Sequence, residues 1–277
     1  MTAAPAWLSV ARGAAPLIVS IPHAGSALDG RDACFVGPWL ARRDADWHIP
    51  RLYDFVRGLG ATVVETALSR SLIDVNRDPS GASLYPGQAT TELCPLSTFD
   101  GEPLYRRGHA PDKAEIAERR RLFFEPHHAA LVAEIDRLRG HHGRVVLYDA
   151  HSIRSRIPRL FEGQLPQFNI GTNSGRSCDP ALSVAVERAC SASGRSFVVD
   201  GRFKGGWITR SHGAPERGAH ALQMELACRG YMAEPAGAPE EGDWPTPFDP
   251  LFASPMTAIL TDVLSACLDF ALGISRP

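Results

Sequence analysis

The chain has 277 residues, of which 44% are hydrophobic and 22% charged, and it carries a formal net charge of -2. This composition is typical of a globular protein and lacks the excess of positive charge that nucleic-acid-binding proteins usually carry. The sequence shows no apolar run long enough to cross a bilayer and no basic segment followed by an apolar stretch near its start. We therefore expect one domain over residues 1–277, located in the cytoplasm, with neither a nucleic acid nor a membrane as its partner.

In chain order, short apolar segments alternate with segments of helical periodicity. Strands are expected at 16–22, 61–67, 71–76, 144–150, 168–172, 196–200 and 219–227. Helices are expected at 49–59, at 113–138 with a kink or a break near Pro126, at 180–192 and at 256–272. A long irregular segment spans 78–111, and a surface loop spans 234–248. The alternation predicts an α/β fold, a three-layer α/β/α sandwich with a mixed, mostly parallel sheet.

Polar side chains collect just after the predicted strands, at the sheet edge where open α/β sheets bind their ligands. They comprise His23, the segments 43–48 and 74–78, and Asp149 with His151. Gln223 and Glu225 lie inside the last predicted strand. These segments contain no glycine-rich phosphate loop, no GxSxG elbow and no HExxH helix, so the sequence does not indicate a nucleotide enzyme or a serine hydrolase.

The two histidines at strand ends, His23 and His151, are the first candidates for metal ligands. Either one could be an ordinary structural residue, but two histidines and a carboxylate form the three-ligand set of a hydrolytic zinc site, in which water takes the fourth position. We predict a divalent metal, Zn²⁺, with Asp46 as the third ligand and with Asp44 and His48 as its rivals. Asp44 and Asp46 could instead form a charge pair at the start of the predicted helix.

Further residues are candidates for support, catalysis and substrate binding. Asp149 shares a strand face with His151 and could orient that ligand through a hydrogen bond. Glu225 lies in an apolar strand, where unpaired carboxylates are rare, and we predict a general base there, with a salt bridge across the sheet as the alternative. Asn76 and Arg77 offer planar donors to a carboxylate, although pairing of Arg77 with a nearby aspartate explains it equally well. The glycine-flanked segment 204–213 is either a ligand-binding loop or a hinge or lid.

Seven blocks of the sequence resemble, in order, the N-formylglutamate amidohydrolase family. They are SIPHAG at 20–25, DADWHIPRLYDF at 44–55, SRSLIDVNRDP at 69–79, DAHSIRSRIPRLFEG at 149–163, FNIGTNSG at 168–175, FKGGWITRSHG at 203–213 and ALQMEL at 221–226. The resemblance covers nearly the whole chain. It implies hydrolysis of N-formyl-L-glutamate to formate and L-glutamate, the last step of a histidine-degradation route.

A more distant resemblance connects the chain to zinc carboxypeptidases and aspartoacylase-type deacylases. It implies a zinc-carboxypeptidase-like fold with a metal held by two histidines and a glutamate, and an Asn-Arg pair for the substrate carboxylate. The corresponding residues occur here in the same order: His23, Asn76, Arg77, His151 and Glu225. Ser26, however, stands where the carboxypeptidase pattern has its glutamate, so the third ligand has to be inferred.

We predict that Asn76, Arg77 and Arg210 bind the carboxylates of a small acidic substrate, because a dianion needs charged, forked donors. Two alternative functions stay open at this point. One is a related zinc deacylase or carboxypeptidase that acts on another N-acyl acidic amino acid. The other is a non-catalytic protein that binds an acidic metabolite and in which the histidines are structural.

Overall fold

The computed structural model describes residues 5–274, which form a seven-stranded sheet with helices on both of its faces. The strands are β1 (Leu8–Ala11), β2 (Leu17–Ile21), β3 (Thr62–Thr66), β4 (Val145–Ile153), β5 (Phe168–Gly171), β6 (Phe197–Val199) and β7 (Ala219–Ala227). The helices are α1 (Ile49–Leu52), α2 (Lys113–Arg119), α3 (Glu125–His142), α4 (Pro180–Ala192), α5 (Trp207–His212) and α6 (Pro250–Leu272). The single-domain prediction for 1–277 stays a prediction, and residues 1–4 and 275–277 lie outside the described residues.

The strands are arranged in the order β1-β3-β2-β4-β7-β5-β6. The central strands β3, β2, β4 and β7 are parallel, whereas β1 pairs antiparallel with β3 and β5 pairs antiparallel with β7. At the outer edge β6 runs parallel to β5. The mixed, mostly parallel α/β sandwich predicted from the sequence is therefore confirmed. The central strands β2, β4 and β7 are buried along their whole length, which explains why they read as nearly continuous apolar runs.

The two faces of the sheet are covered by different helices. Alternate residues of β4, including Tyr148, pack into the cluster that α1, α4 and α6 cover, and we call this side the α6 face. The intervening residues, including Leu147, pack against α3 and against Ile208 of α5, and we call this side the α3 face. Because side chains alternate along a strand, Asp149 and His151 share the side of Leu147 and lie on the α3 face.

Helix α6 corrects one expectation from the sequence. This segment of 23 residues is long and apolar enough, by length and composition, to cross a membrane, so the statement that no such run exists was wrong. In the fold it packs against α4 and against the sheet, and its buried stripe includes Met256, Leu260 and Val263. A core helix passes the same test of length and hydropathy, and 33% of the apolar window of α6 is buried in the fold.

Several local predictions were wrong. Residues 71–76 form turns instead of a strand, because their apolar side chains pack into a separate cluster beneath the long loop. The predicted helix 49–59 is only the short α1 followed by a 3₁₀ turn at Asp54–Arg57. The break expected at Pro126 lies earlier, at a π-helical turn over Arg120–Phe124, and the proline sits in the first turn of α3. The edge strand β1 and the helix α5 were not predicted.

The long segment 78–111 has no helix and no named strand, as expected. It nevertheless has its own anchors, because Leu93, Cys94, Leu104 and Tyr105 are buried in a cluster with Phe35. The ring of Tyr105 stacks on that of Phe35, with their centroids 4.6 Å apart. These anchors pack the loop against residues of the segments 28–41 and 68–75.

Candidate active site

The carboxyl ends of three neighbouring parallel strands bring the predicted residues together. His23 follows β2, His151 lies near the end of β4, and Glu225 lies near the end of β7. In the register of β4 and β7, His151 is the partner of Glu225, and Asp149 is the partner of Gln223. All four of these residues are on the α3 face. Because side chains alternate along each strand, these four polar side chains lie together on one face of the two adjacent strands.

The predicted metal ligands His23, Asp46 and His151 converge into one buried group. Each residue offers a ligand atom, and these atoms all lie within 4.8 Å of one another. His151 Nδ1 is 3.1 Å from Asp46 Oδ2, and His23 Nδ1 is 3.8 Å from the same oxygen. Asp46 reaches this place because its backbone N–H donates to the carbonyl of His23. Two imidazoles therefore present their Nδ1 atoms to one carboxylate.

A second carboxylate holds each imidazole from behind. His23 Nε2 is 2.7 Å from Asp74 Oδ1, and His151 Nε2 is 2.9 Å from Asp149 Oδ2. Asp74 is itself held, since it accepts hydrogen bonds from Arg70 Nη2 at 2.7 Å and from the backbone N–H of Asn76. Carboxylates in this position fix the ring orientation and the tautomer of metal-binding histidines. The group thus has the outer support that metal sites require.

The chemistry of these residues fits a divalent cation. His23 Nδ1 and Asp46 Oδ1 are buried and have no hydrogen-bond partner within residues 5–274, which is rare for buried polar atoms unless a ligand satisfies them. Burial and the nearby Arg70 lower the pKa of His23 to about 4, so its ring is neutral at pH 7. Neutral imidazole and carboxylate are the ligands that Zn²⁺ prefers.

The ionisation of the other two residues agrees with this chemistry. Burial acts to raise the pKa of Asp46, but the hydrogen bond from His151 and the positive charges around it outweigh that effect and lower the pKa. Burial acts to lower the pKa of His151, but Asp149 and Asp46 outweigh it and raise the pKa well above its usual range. The carboxylates around His151 therefore stabilise a positive charge at this place, which either an imidazolium or a bound metal cation supplies.

The two rivals of Asp46 have other partners. Asp44 Oδ2 accepts a hydrogen bond of 2.6 Å from the backbone N–H of Phe99, and Asp44 Oδ1 is 3.8 Å from the guanidinium of Arg43. His48 Nε2 is 2.8 Å from the carbonyl oxygen of Thr246. Neither belongs to the buried group, and Asp46 is the member of segment 43–48 that does.

Two members of the group, His23 and His151, line a cavity at the carboxyl ends of the strands. Glu225 lines this cavity, and burial raises the pKa of its carboxyl to about 7. Gln223 Nε2 donates a hydrogen bond of 3.1 Å to Glu225 Oε2 and fixes the carboxyl in place. A carboxyl with this pKa can accept and release a proton near neutrality, as a general base and acid must.

A family model described as N-formylglutamate amidohydrolase matches residues 15–232. The chain belongs to this family. Two N-formylglutamate deformylases are similar to it along most of their length. The protein from Pseudomonas aeruginosa is 48% identical over 231 residues, covering 83% of this chain and 86% of the relative. The protein from Pseudomonas putida is 45% identical over 264 residues, covering 94% of this chain and 95% of the relative. The chain is therefore an enzyme, an amidohydrolase.

Two solved structures share the fold. The crystal structure of N-formylglutamate amidohydrolase from Ralstonia eutropha JMP134 matches with a TM-score of 0.74 at 24% identity and covers 98% of this chain and 99% of that chain. The gene product Atu2144 from Agrobacterium tumefaciens matches with a TM-score of 0.62 at 17% identity and covers 94% of this chain and 95% of that chain. These similarities agree with the zinc-carboxypeptidase-like fold that was predicted for this chain.

Among the residues predicted to bind substrate, Asn76 and Arg77 line the cavity. The amide of Asn76 has partners on both sides: its Nδ2 is 3.1 Å from Asp149 Oδ2, and its Oδ1 accepts from the backbone N–H of Ile208. Gly206 allows this approach, because a Cβ at that position would overlap the Asn76 amide. Arg77 donates to the carbonyl and the hydroxyl of Thr91, which ties the long loop to the cavity wall.

Arg210, the third residue predicted to bind substrate, is not among the residues that line this cavity. It lies on α5, where its Nε donates to the carbonyl of Gly205 and its guanidinium stands 4.9 Å from the centre of the Tyr85 ring. Its role stays a prediction. Two other arginines line the cavity instead, Arg70 and Arg202. Arg202 follows β6 directly, so the rule of polar residues after strands would have selected it, whereas no local signal marks Arg70.

Proposed function

We propose that this amidohydrolase cleaves N-formyl-L-glutamate to formate and L-glutamate with the aid of a divalent metal ion, Zn²⁺, as the last step of a histidine-degradation route. The observation that carries the proposal is the buried group of His23, Asp46 and His151, which lies beside Glu225 on the floor of a cavity lined with arginines. The two similar proteins named as N-formylglutamate deformylases support the choice of substrate.

In this proposal His23, Asp46 and His151 hold the metal ion, and Asp74 and Asp149 keep the two imidazoles in the orientation that the ion needs. A divalent ion supplies Lewis acidity, which polarises a carbonyl group and lowers the pKa of bound water toward about 7. Bulk water does not reach the two supporting carboxylates, because Asp74 and Asp149 are both 0% exposed.

Glu225 is the residue that moves protons. It takes a proton from the water molecule that adds to the formyl carbon, and it delivers that proton to the amide nitrogen as the carbon–nitrogen bond breaks. Because the pKa of Glu225 is raised to about 7, neither transfer is strongly uphill near neutral pH. The products are formate and the free amine of L-glutamate, and the carboxyl returns to its starting state.

Arg77 binds the carboxylate of the substrate that lies next to the scissile bond, with Asn76 beside it. Two contacts support this role: Asn76 donates a hydrogen bond to Asp149, and Arg77 Nη1 is 3.5 Å from Asp74 Oδ2. Arg210 contributes through Tyr85, because its guanidinium contacts the ring of Tyr85 and Tyr85 lines the cavity. A substrate with two negative charges leaves water for a binding site only if charged hydrogen-bond donors replace its hydration, and guanidinium groups are such donors.

We further propose that the chain acts as one catalytic domain in the cytoplasm, on a small acidic molecule. The packing of α6 against the sheet supports a protein that folds in water, because its apolar stripe is used in the core.

The proposal is tested by comparing turnover of N-formyl-L-glutamate, N-acetyl-L-glutamate and a glutamyl peptide by the zinc-loaded enzyme. We expect the highest kcat/KM for the formyl compound. A higher kcat/KM for the acetyl or the peptide substrate would identify another deacylase or a carboxypeptidase. Binding of the formyl compound without turnover of any of the three would identify a binding protein.

A further inference from the structure

Arg202 is a cation of the cavity wall that no step described above uses. It follows β6, the outermost strand, while the metal group and Glu225 belong to the ends of β2, β4 and β7. β6 is two strands away from β7 and runs antiparallel to it, because β6 pairs parallel with β5 and β5 pairs antiparallel with β7. Its carboxyl end therefore points away from the edge at which β2, β4 and β7 end. Arg202 nevertheless lines the same cavity as Glu225 and Arg77. It reaches the cavity from the loop that follows β6, and not from the strand ends that carry the metal group.

The side chain of Arg202 is fixed in place before any ligand arrives. Its Nε donates to the carbonyl of Leu160 at 2.9 Å, and its Nη2 donates to the carbonyl of Ala89 at 2.7 Å. The guanidinium lies 5.5 Å from the centre of the Tyr85 ring and 5.3 Å from that of Phe203. Two rings and two carbonyls thus hold one orientation of a side chain that would otherwise be flexible.

Within residues 5–274 no carboxylate forms an ion pair with Arg202, although the charge of Glu225 acts on it through space. The contacts of Arg202 are neutral carbonyls and aromatic rings, and its Nη1 has no hydrogen-bond partner in the described part of the chain. Arg70, by contrast, pairs with Asp74 and Asp46, and Arg77 lies 3.5 Å from Asp74. Burial and the positive charge of Arg77 lower the pKa of Arg202, and together they outweigh Tyr85 and Glu225, which act to raise it. A half-buried guanidinium with free donors is stabilised most by an anion.

We propose that Arg202 is the specificity-determining residue that binds the side-chain carboxylate of the substrate. This inference rests on the proposed function, because it assigns the second of the two carboxylates of an N-acyl glutamate. Arg77 binds the carboxylate next to the scissile bond, and Arg202 binds the one that is farther away. The site then selects substrates with two carboxylates over those with a neutral side chain of the same size.

The test measures kcat/KM for N-formyl-L-glutamate and N-formyl-L-glutamine, in which a neutral amide replaces the distal carboxylate at nearly the same size. Both substrates are given to the wild-type enzyme and to the Arg202→Gln and Arg202→Lys variants. Arg156→Gln is the matched control, because Arg156 is an exposed arginine that does not line the cavity.

We expect Arg202→Gln to lower kcat/KM for N-formyl-L-glutamate by roughly 30- to 100-fold, the usual effect of losing a hydrogen-bonded charge pair. The loss should appear mainly as a higher KM, since the contact exists in the ground state as well as the transition state. The value for N-formyl-L-glutamine should change less than about threefold, because that substrate has no charge to lose. Arg202→Lys should retain part of the preference, since it keeps the charge but not the fork.

Equal losses on the two substrates would overturn the inference, because they would show that Arg202 only holds the loops around Leu160 and Ala89. The comparison stays valid if the variant is less stable, since a loss of folded enzyme lowers both values by the same factor. If Arg202→Gln does not fold, the comparison is made with Arg202→Lys. The proposed function fails separately, by the absence of formate release from N-formyl-L-glutamate by the wild-type enzyme.

Discussion

Replacement of Asp149 by asparagine tests whether the carboxylates behind the histidines support a metal site. Asp149 Oδ2 is 2.9 Å from His151 Nε2, and both residues are almost completely buried. Asparagine keeps the size of the side chain and an acceptor oxygen, but it removes the negative charge that makes His151 a stronger ligand. Loss of such a partner usually weakens metal binding about 10- to 100-fold, which corresponds to about 1.4 to 2.7 kcal/mol.

The assay is a titration of Zn²⁺ against a competing chelator, carried out on the wild-type protein and on Asp149→Asn. The matched control is Asp44→Asn, since Asp44 is also a buried aspartate but is hydrogen-bonded to the backbone of Phe99, outside the group. We expect weaker zinc binding by Asp149→Asn and an unchanged affinity for Asp44→Asn. Equal affinities of the wild type and Asp149→Asn would refute the reasoning that His151 is a supported metal ligand.

Two further predictions concern Glu225 and three histidines, of which His127 is buried and His128 and His212 are partly buried. Glu225→Gln should lower kcat by roughly 100-fold or more while zinc content and KM stay close to wild type, because only the proton transfer is lost; a fall in zinc content would instead make Glu225 part of the metal site. Burial lowers the pKa of His127 well below its usual value, that of His128 to about 3 and that of His212 to about 4. Below about pH 6.5 the unfolded chain binds protons at these histidines and the folded chain does not. The free energy of unfolding is therefore highest above that pH and decreases as the pH falls. The decrease is up to about 1.4 kcal/mol per pH unit for each histidine. Urea unfolding at pH 7.5, 6 and 5 measures this fall, and replacing His127 by glutamine should reduce its slope; an unchanged slope would contradict the assignment of His127.

The candidate site could be predicted well where it depends on strand ends. His23 follows β2 and His151 lies near the end of the neighbouring parallel strand β4, and the carboxyl ends of these strands meet at one edge of the sheet. The two-residue period placed Asp149 on the side of His151, and the hydrogen bond between them agrees with that prediction. The choice of Asp46 over Asp44 was less determined, because both lie in an irregular segment whose path depends on tertiary contacts.

Other parts depended on packing that a sequence does not reveal. Residues 71–76 have the apolar character of a strand, yet Leu72 and Ile73 pack in the cluster beneath the long loop. The segment is not part of the sheet, in which β3 pairs directly with β2. Arg210 and Arg202 are both arginines near glycines and both contact the ring of Tyr85, and only the structure shows that Arg202 lines the cavity and Arg210 does not. Long flexible side chains reach several ångströms from their backbone, so chain position alone does not assign them to a site.

Formate release from N-formyl-L-glutamate by the metal-stripped enzyme, before and after addition of one equivalent of Zn²⁺, tests the central claim most directly. We expect no release by the stripped protein and release once the ion is bound at His23, Asp46 and His151. Elemental analysis of the stripped sample serves as the control for residual metal. Release at the full rate by protein shown to be free of metal would contradict the claim of a metal-dependent amidohydrolase.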